Sequence, residues 1–174
     1  MGATTVDGER VRLRELGWDE IALLEGIDMT SEYDDFGFTL LKRLKEQLAP
    51  GAPKAEVARL LVEKYPDHAV IGILSWHWVQ YGPNEESRAI SIGITLRSEE
   101  RGKGYGSEAQ RLLTNHLFAT TVVSRIEAST DTKNIAEQRC LEKIGFVREG
   151  VLRAAQWRSG ELHDMVVYSR LRTD

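Results

Sequence analysis

The stretch that most constrains this chain is Arg101-Gly102-Lys103-Gly104-Tyr105-Gly106, taken with its flanks. Ahead of it, Ala89 to Leu96 is an apolar-rich run that reads as a strand. Behind it, Ala109, Leu112, Leu113, His116 and Leu117 recur at helical spacing, so a helix is expected to about Ala119. Glycines at alternate positions leave the backbone bare of side chains just where that helix begins. The first N–H groups of a helix have no partner inside it, and the dipole there is positive. Together they form a socket for a phosphate or pyrophosphate. Arg101 and Lys103 bring positive charge beside it. A turn that only caps a helix is the alternative these six residues leave open.

Spacing narrows the ligand. A dinucleotide-binding turn needs G-x-G-x-x-G directly after a strand. Here Ser107 replaces the last glycine, and five residues, Arg97 to Arg101, intervene. The G-x-x-x-x-G-K-[ST] pattern of a P-loop is absent. With 174 residues the chain is long enough for one domain with its own core. Its 41% hydrophobic and 29% charged residues are those of an ordinary globular protein. A net charge of −4 offers no general attraction to nucleic acid or to an anionic membrane, so neither is an expected partner. No apolar run approaches the length of a membrane span. Met1 to Asp7 lacks the basic start and apolar core of a signal peptide. Val6 stands where a myristoylation pattern wants Ser or Thr. Cys140 is the single cysteine, which excludes an internal disulfide, and a cytoplasmic setting is the simplest expectation.

Taken in order, Arg10 to Leu16 alternates charged and apolar residues as a half-buried strand does. Trp18 to Ile27 carries Ile21, Leu23 and Leu24 at helical spacing. Asp28 to Gly37 reads as a surface loop or short helical turn. Thr39 to Leu48, with Leu40, Leu41, Leu44 and Leu48 on one face, is a second amphipathic helix, ended by Ala49-Pro50-Gly51-Ala52-Pro53. Ala55 to Lys64 fits either a helix or a strand from Arg59; the Pro66-Asp67-His68 turn and the run from Ala69 to Tyr81 favour a hairpin. Val122 to Ser129 reads as a strand. Asn134 suits a helix N-cap with Glu137 three residues on, and Gly145 suits the residue after that helix. Phe146 to Arg158 and Glu161 to Arg172 read as strands joined at Ser159-Gly160.

Arg101 to Gly106 resembles, position by position, the Arg/Gln-x-x-Gly-x-Gly/Ala signature of the GNAT superfamily of N-acetyltransferases. Asn134 to Phe146 is similar to that family's Asn-x-x-Ser…Leu-Glu-Lys-x-Gly-Phe helix. Arg153, Trp157, Gly160 and Asp164 resemble the ending of its RimJ/RimL-like branch, which acetylates N-terminal amines of ribosomal proteins and has relatives acting on small amines. The resemblance runs from about Val11 to Arg172 and is weakest from Met29 to Pro66. It implies an α/β (α+β) fold: a mixed, mostly antiparallel central sheet of about seven strands flanked by about four helices, in one acetyltransferase domain over 1–174. It also implies acetyl-coenzyme A as cosubstrate, with no metal, and a primary amine as acceptor; a homodimer is left open.

By the same resemblance, Arg101, Gly102, Lys103, Gly104, Tyr105 and Gly106 would hold the pyrophosphate. Backbone groups of Ile94 or Leu96 would meet the pantetheine arm or polarise the thioester. Asn134 would bond the pantetheine chain, cap its helix, or both. Lys143 would sit near the nucleotide or on a solvated face, and Arg139 is open to the same two readings.

Acyl transfer to an amine needs a proton acceptor and donors aimed at the developing oxyanion. Two departures leave these roles unassigned. The tyrosine acid of many family members falls at Leu141, and the strand glutamate of the branch falls at Ser91. The serine of the helix pattern is Glu137. Glu127 is the candidate base, with a structural ion pair as its alternative. His77 and Asp131 are further candidates, and Cys140 reads as core. Glu32, Asp34 and Asp35, with Tyr33 and Phe36, would attract a cationic amine or form a solvated loop. Trp76, Trp78 and Trp157 would line the acceptor cavity or fill the sheet. The leading reading is an acetyl-coenzyme-A-dependent N-acetyltransferase. The competing readings are a coenzyme-binding module without catalysis and a nucleotide-binding Rossmann protein.

Overall fold

The computed structural model describes residues 5–33, 35–36, 39–50 and 57–174. Eight strands form one sheet in the order β1-β2-β3-β4-β5-β6-β8-β7. They are β1 (Thr5–Asp7), β2 (Val11–Glu15), β3 (Val57–Lys64), β4 (Ala69–Gln80), β5 (Arg88–Leu96), β6 (Arg125–Asp131), β7 (Val147–Arg158) and β8 (Glu161–Leu171). Neighbours run antiparallel except β5 and β6, which are parallel. That parallel step needs a crossover, and α2 (Tyr105–Thr120) supplies it. Helix α1 (Leu40–Leu48) precedes β3, and α3 (Ile135–Lys143) follows β6.

Strand alternation divides the apolar residues between two faces. Leu13, Leu60, Leu74, Ile90, Ile126 and Tyr168 pack against Ala109, Leu113 and Leu117 of α2 in the larger core. Leu61 and Ile73 point the other way, to Leu16, Leu24 and the fully buried Leu44 of α1. Buried Glu108 in the first turn of α2 accepts from the Arg10 amide at 2.8 Å. Gly8 lets that turn close in: a Cβ there would lie 2.5 Å from Leu112 Cδ1. The start of α2 is thereby fixed against the start of β2.

Several boundaries differ from the sequence reading. The sheet has eight strands rather than about seven, because Thr5–Asp7 pairs with β2; three residues with one apolar side chain carry too little pattern to reveal an edge strand. The first expected helix is a 3₁₀ turn, Trp18–Leu24. Its buried residues, Ile21 and Leu24, are three apart, which is the 3₁₀ repeat. Shorter 3₁₀ turns occupy Glu85–Ser87 and Ser98–Glu100. The ambiguous segment before Lys64 is a strand from Val57; its expected beginning at Ala55, like the 51–53 part of the helix stop, lies outside the described residues. β6 begins at Arg125 rather than Val122, whose side chain is 99% exposed.

Candidate functional site

The sheet opens in its middle. β5 and β6 are in register only at Ile90↔Ile126 and Ser91↔Glu127. Beyond that point β5 stays paired with β4 as far as Gly72↔Leu96, and β6 stays paired with β8 as far as Asp131↔Met165. The facing edges of 92–96 and 128–131 therefore share no rungs. The Arg97 N–H donates to Ile71 O on β4 at 2.8 Å. By strand alternation the N–H groups of Thr95 and Gly93 point the same way, and those of Leu96 and Ile94 point into the gap, while that of Ile92, on the same side, belongs to the last rung beside Glu127. A cleft of about 770 Å³ passes through it, lined by Ile92 to Leu96 on one side and Ala128 and Ser129 on the other.

The glycine turn stands at one mouth of this cleft. Gly102 and Gly104 have φ of +73° and +86°, in the left-handed region that suits glycine. Gly104 is the N-cap of α2, so the amides of Tyr105, Gly106 and Ser107 have no acceptor within the helix. Gly106 brings the backbone close: a Cβ there would lie 3.4 Å from Leu96 Cδ1. Gly102, Gly104, Gly106 and Ser107 line the cleft. Arg101 also lines it, but its guanidinium donates to Leu96 O at 2.8 Å and Thr30 O at 2.8 Å. It ties the end of β5 to the loop before α1. Lys103 is turned to Glu100, at 2.9 Å, and Tyr105 lies under the Arg10 guanidinium at 4.5 Å. Neither is among the described residues that line the cleft.

Helix α3 forms the adjacent wall. Asn134 lines the cleft and caps the helix, accepting from the Glu137 N–H at 3.2 Å and donating to Thr130 Oγ1 at 3.0 Å. Arg139 and Lys143, one turn apart, line it too. Cys140 is a correction to the core reading: it is half-buried and lines the cleft. Its thiol lies 3.2 Å from Ser107 Oγ and 3.1 Å from Gln110 Nε2, and burial pushes it up to about 11.

On the other face of the sheet the cleft is bounded by Ser75, His77 and Ser91, by Tyr33 and Phe36 of the loop before α1, and by Arg59 of β3. Arg59 is the residue that sequence reasoning missed here, although a charge inside the apolar run Val57 to Val62 was a visible signal. Neither Glu32 nor Asp35 lines the cleft; Asp35 accepts from Ser159 Oγ at 2.9 Å, and Asp34 lies outside the described residues. Trp76, Trp78 and Trp157 do not line it either. Trp76 packs on the larger core and meets Trp78 edge to face at 6.0 Å, while Trp157 is exposed.

Glu127 stands outside the cleft. Its carboxylate accepts from Tyr81 Oη at 2.6 Å and pairs with Arg125 Nε at 3.2 Å, which is the ion-pair arrangement weighed as its alternative. Asp131 is buried in an ion pair with Arg158. Burial alone would raise its carboxyl, but the Lys133 N–H and the Arg158 guanidinium hold it below the usual range. Arg158, 1% exposed, also donates to Glu32 O at 3.0 Å. This buried pair clips the loop bearing Tyr33 and Phe36 onto the sheet. A Trp-Arg-Ser-Gly hairpin end gave no sign that its arginine is internal.

The donor set fits a phosphorylated, thioester-bearing coenzyme: unpartnered helix amides for its phosphates, basic side chains beside them, and N–H groups inside the gap for a carbonyl. Among the described residues no cluster of His, Cys, Asp or Glu is arranged to hold a metal ion. No helix among them is long and apolar enough to cross a membrane.

The chain is similar to known proteins. The profile of the acetyltransferase (GNAT) domain matches residues 30–147. An uncharacterised N-acetyltransferase of Bacillus subtilis, YoaA, is 32% identical over 62% of this chain and 59% of its own length. The putative ribosomal N-acetyltransferase YdaF of the same organism is 29% identical over 62% of this chain and 57% of its own. The chain thus spans under two thirds of both relatives. Among solved structures, the ribosomal-protein-S5-alanine acetyltransferase of Vibrio fischeri superposes with a TM-score of 0.80 at 19% identity, covering 98% of each chain.

Proposed function

The chain belongs to the GNAT acetyltransferase domain family, and on that premise we propose that it transfers an acetyl group from acetyl-coenzyme A to a primary amine, by direct attack in a ternary complex. The observation that carries this reading is the open edge of β5, where unpaired strand amides face the bare amides of α2 across one cleft. Acetyl-coenzyme A supplies the activated acyl group. The amides of Gly102 to Ser107 bind its pyrophosphate, and Arg139 and Lys143 complement its charge at the outer wall. Asn134, already fixed by its cap, orients the pantetheine chain. The Ile94 or Leu96 N–H polarises the thioester carbonyl and stabilises negative charge on its oxygen as the amine attacks.

The amine enters from the face that holds His77, Ser75 and Ser91. His77 lines that face, and histidine is the side chain suited to proton transfer near neutral pH. We assign it the proton of the attacking amine, directly or through one water. Glu127, committed to Tyr81 and Arg125, is left the role of holding those strands. The acceptor is a small-molecule amine or a protein N-terminus, the latter in keeping with the name of YdaF.

Thiol release from acetyl-coenzyme A over a panel of primary amines tests the reading. Turnover with at least one amine is expected, and His77→Gln should lower kcat by about 10²-fold or more with coenzyme affinity retained. Tight coenzyme binding with no thiol release for any amine would instead mark a binding module.

A further inference from the structure

The amine-side half of the cleft carries a cation that has no counter-ion among the described residues. Arg59 lines the cleft, yet among the described residues its guanidinium donates to Gln47 Oε1 at 3.2 Å and Ala58 O at 3.4 Å and to no other oxygen. Among the described residues no carboxylate pairs with it. A guanidinium has five N–H donors, and two long contacts to neutral oxygens leave most of them unspent. Burial, with the positive charge of Arg43 nearby, pushes Arg59 down to about 10, so its surroundings do not compensate the charge. A half-buried cation of this kind is costly unless something pairs with it.

The floor of the cleft joins this cation to the place of acyl transfer. Arg59 is opposite Ser75, and Ser75 is opposite Gly93. The three positions form one row on the same face, and two inter-strand steps put Arg59 about 10 Å from Gly93 between Cα atoms. The two residues toward β5 are small, so nothing tall stands between the arginine and the gap. Among the described residues that line the cleft, Glu137 on α3 is the one carboxylate, and it stands on the opposite wall, while the Glu32 carboxylate is engaged by the Tyr33 hydroxyl.

We infer that the acceptor is an amine that also carries a carboxylate, seated on Arg59 while its amine reaches the gap beside Gly93 and Ile94. An amino acid or a short peptide with an acidic first residue has this chemistry. A polyamine does not, and the guanidinium would repel it. This inference rests on the acyltransferase reading and adds the class of its acceptor.

The test compares acceptors that differ only in carboxylate against carboxamide: γ-aminobutyrate with its amide, and dipeptides beginning with Asp or with Asn. The wild-type ratio of kcat/KM, acid over amide, is expected to exceed that of Arg59→Gln at least tenfold, with the difference in KM. Arg59→Lys should keep part of the preference. The γ-aminobutyrate pair reports a free amino acid and the dipeptide pair a peptide. Equal ratios in wild type and Arg59→Gln would overturn the inference, as would a wild-type preference for spermidine. Coenzyme affinity of each variant, read by calorimetry, verifies that it is folded. If no amine at all releases thiol, the acyltransferase reading fails by itself. Calorimetry of N-acetyl-γ-aminobutyrate with the coenzyme-A-loaded protein then decides: binding lost in Arg59→Gln supports the site, and absence of binding to wild type overturns it.

Discussion

At the residue scale, Gly104 and Cys140 make the claims that are easiest to check. Gly104 sits at φ +86° as the N-cap of α2, with room around it: an added Cβ would be 3.5 Å from the nearest Arg10 nitrogen. The penalty for Gly104→Ala is therefore conformational, about 1–2 kcal/mol. Urea unfolding should show a loss of that size, and calorimetry should show roughly tenfold weaker acetyl-coenzyme A binding as the turn relaxes. Unchanged affinity at reduced stability would mean that the turn is only a cap. The Cys140 thiol, pushed up to about 11, is nearly all protonated at pH 8, with a thiolate fraction of about 10⁻³. Iodoacetamide labelling followed by mass spectrometry should be roughly a hundredfold slower than for an unstructured cysteine peptide, and slower again with coenzyme bound. Labelling at the peptide's rate would contradict the packing against Ser107 and Gln110.

At the element scale, the far side of the sheet is held by a cluster across β6, β7 and β8. Arg125 pairs with Glu149 at 2.5 Å, and Glu149 also accepts from Ser169 Oγ at 2.7 Å. The Arg125 guanidinium, with Ser169, holds the Glu149 carboxyl down at about 2, below its ordinary 4.5. A depressed carboxyl favours folding above its unfolded value, and that contribution disappears as pH falls through the folded one. Wild type should therefore lose stability between about pH 4.5 and pH 2 more steeply than Glu149→Gln, measured as Tm against pH. Parallel curves would remove the cluster from the account. Elements with a strong internal pattern are legible in the sequence alone: α1 by its leucine stripe, β4 and β5 by apolar runs, α3 by its Asn134 cap. β1 is not, because its partner rather than its sequence makes it a strand. The 3₁₀ form of Trp18–Leu24 is not, because Ile21 and Leu24 also fit an α-helical repeat.

At the scale of the whole molecule, the proposed function rests on a sheet that is continuous on both flanks and open in the centre. The expectation of a phosphate socket at Gly102, Gly104 and Gly106 comes from glycines ahead of a helix, which leave its first amides uncovered, and these three residues line the mouth of the opening. The amine side is not readable. Its residues come from β3, β4, β5 and the loop before α1, and only the fold assembles Arg59, Ser75, His77 and Tyr33 on one wall. Charge counting along the chain points instead to Glu32 and Asp35, neither of which lines the cleft, and Asp35 accepts from Ser159 Oγ. The candidate Glu127 illustrates the same limit: strand alternation places it on the amine-side face, but Tyr81 and Arg125 engage it beyond the end of the cleft. The central claim is that strand amides in the gap and helix amides at its mouth grip one acetyl-coenzyme A. Hydrogen–deuterium exchange with and without acetyl-coenzyme A measures those amides directly. The account predicts slowed exchange concentrated in 92–96, 102–107 and 134–143; no change there, or protection confined to other segments, would contradict it.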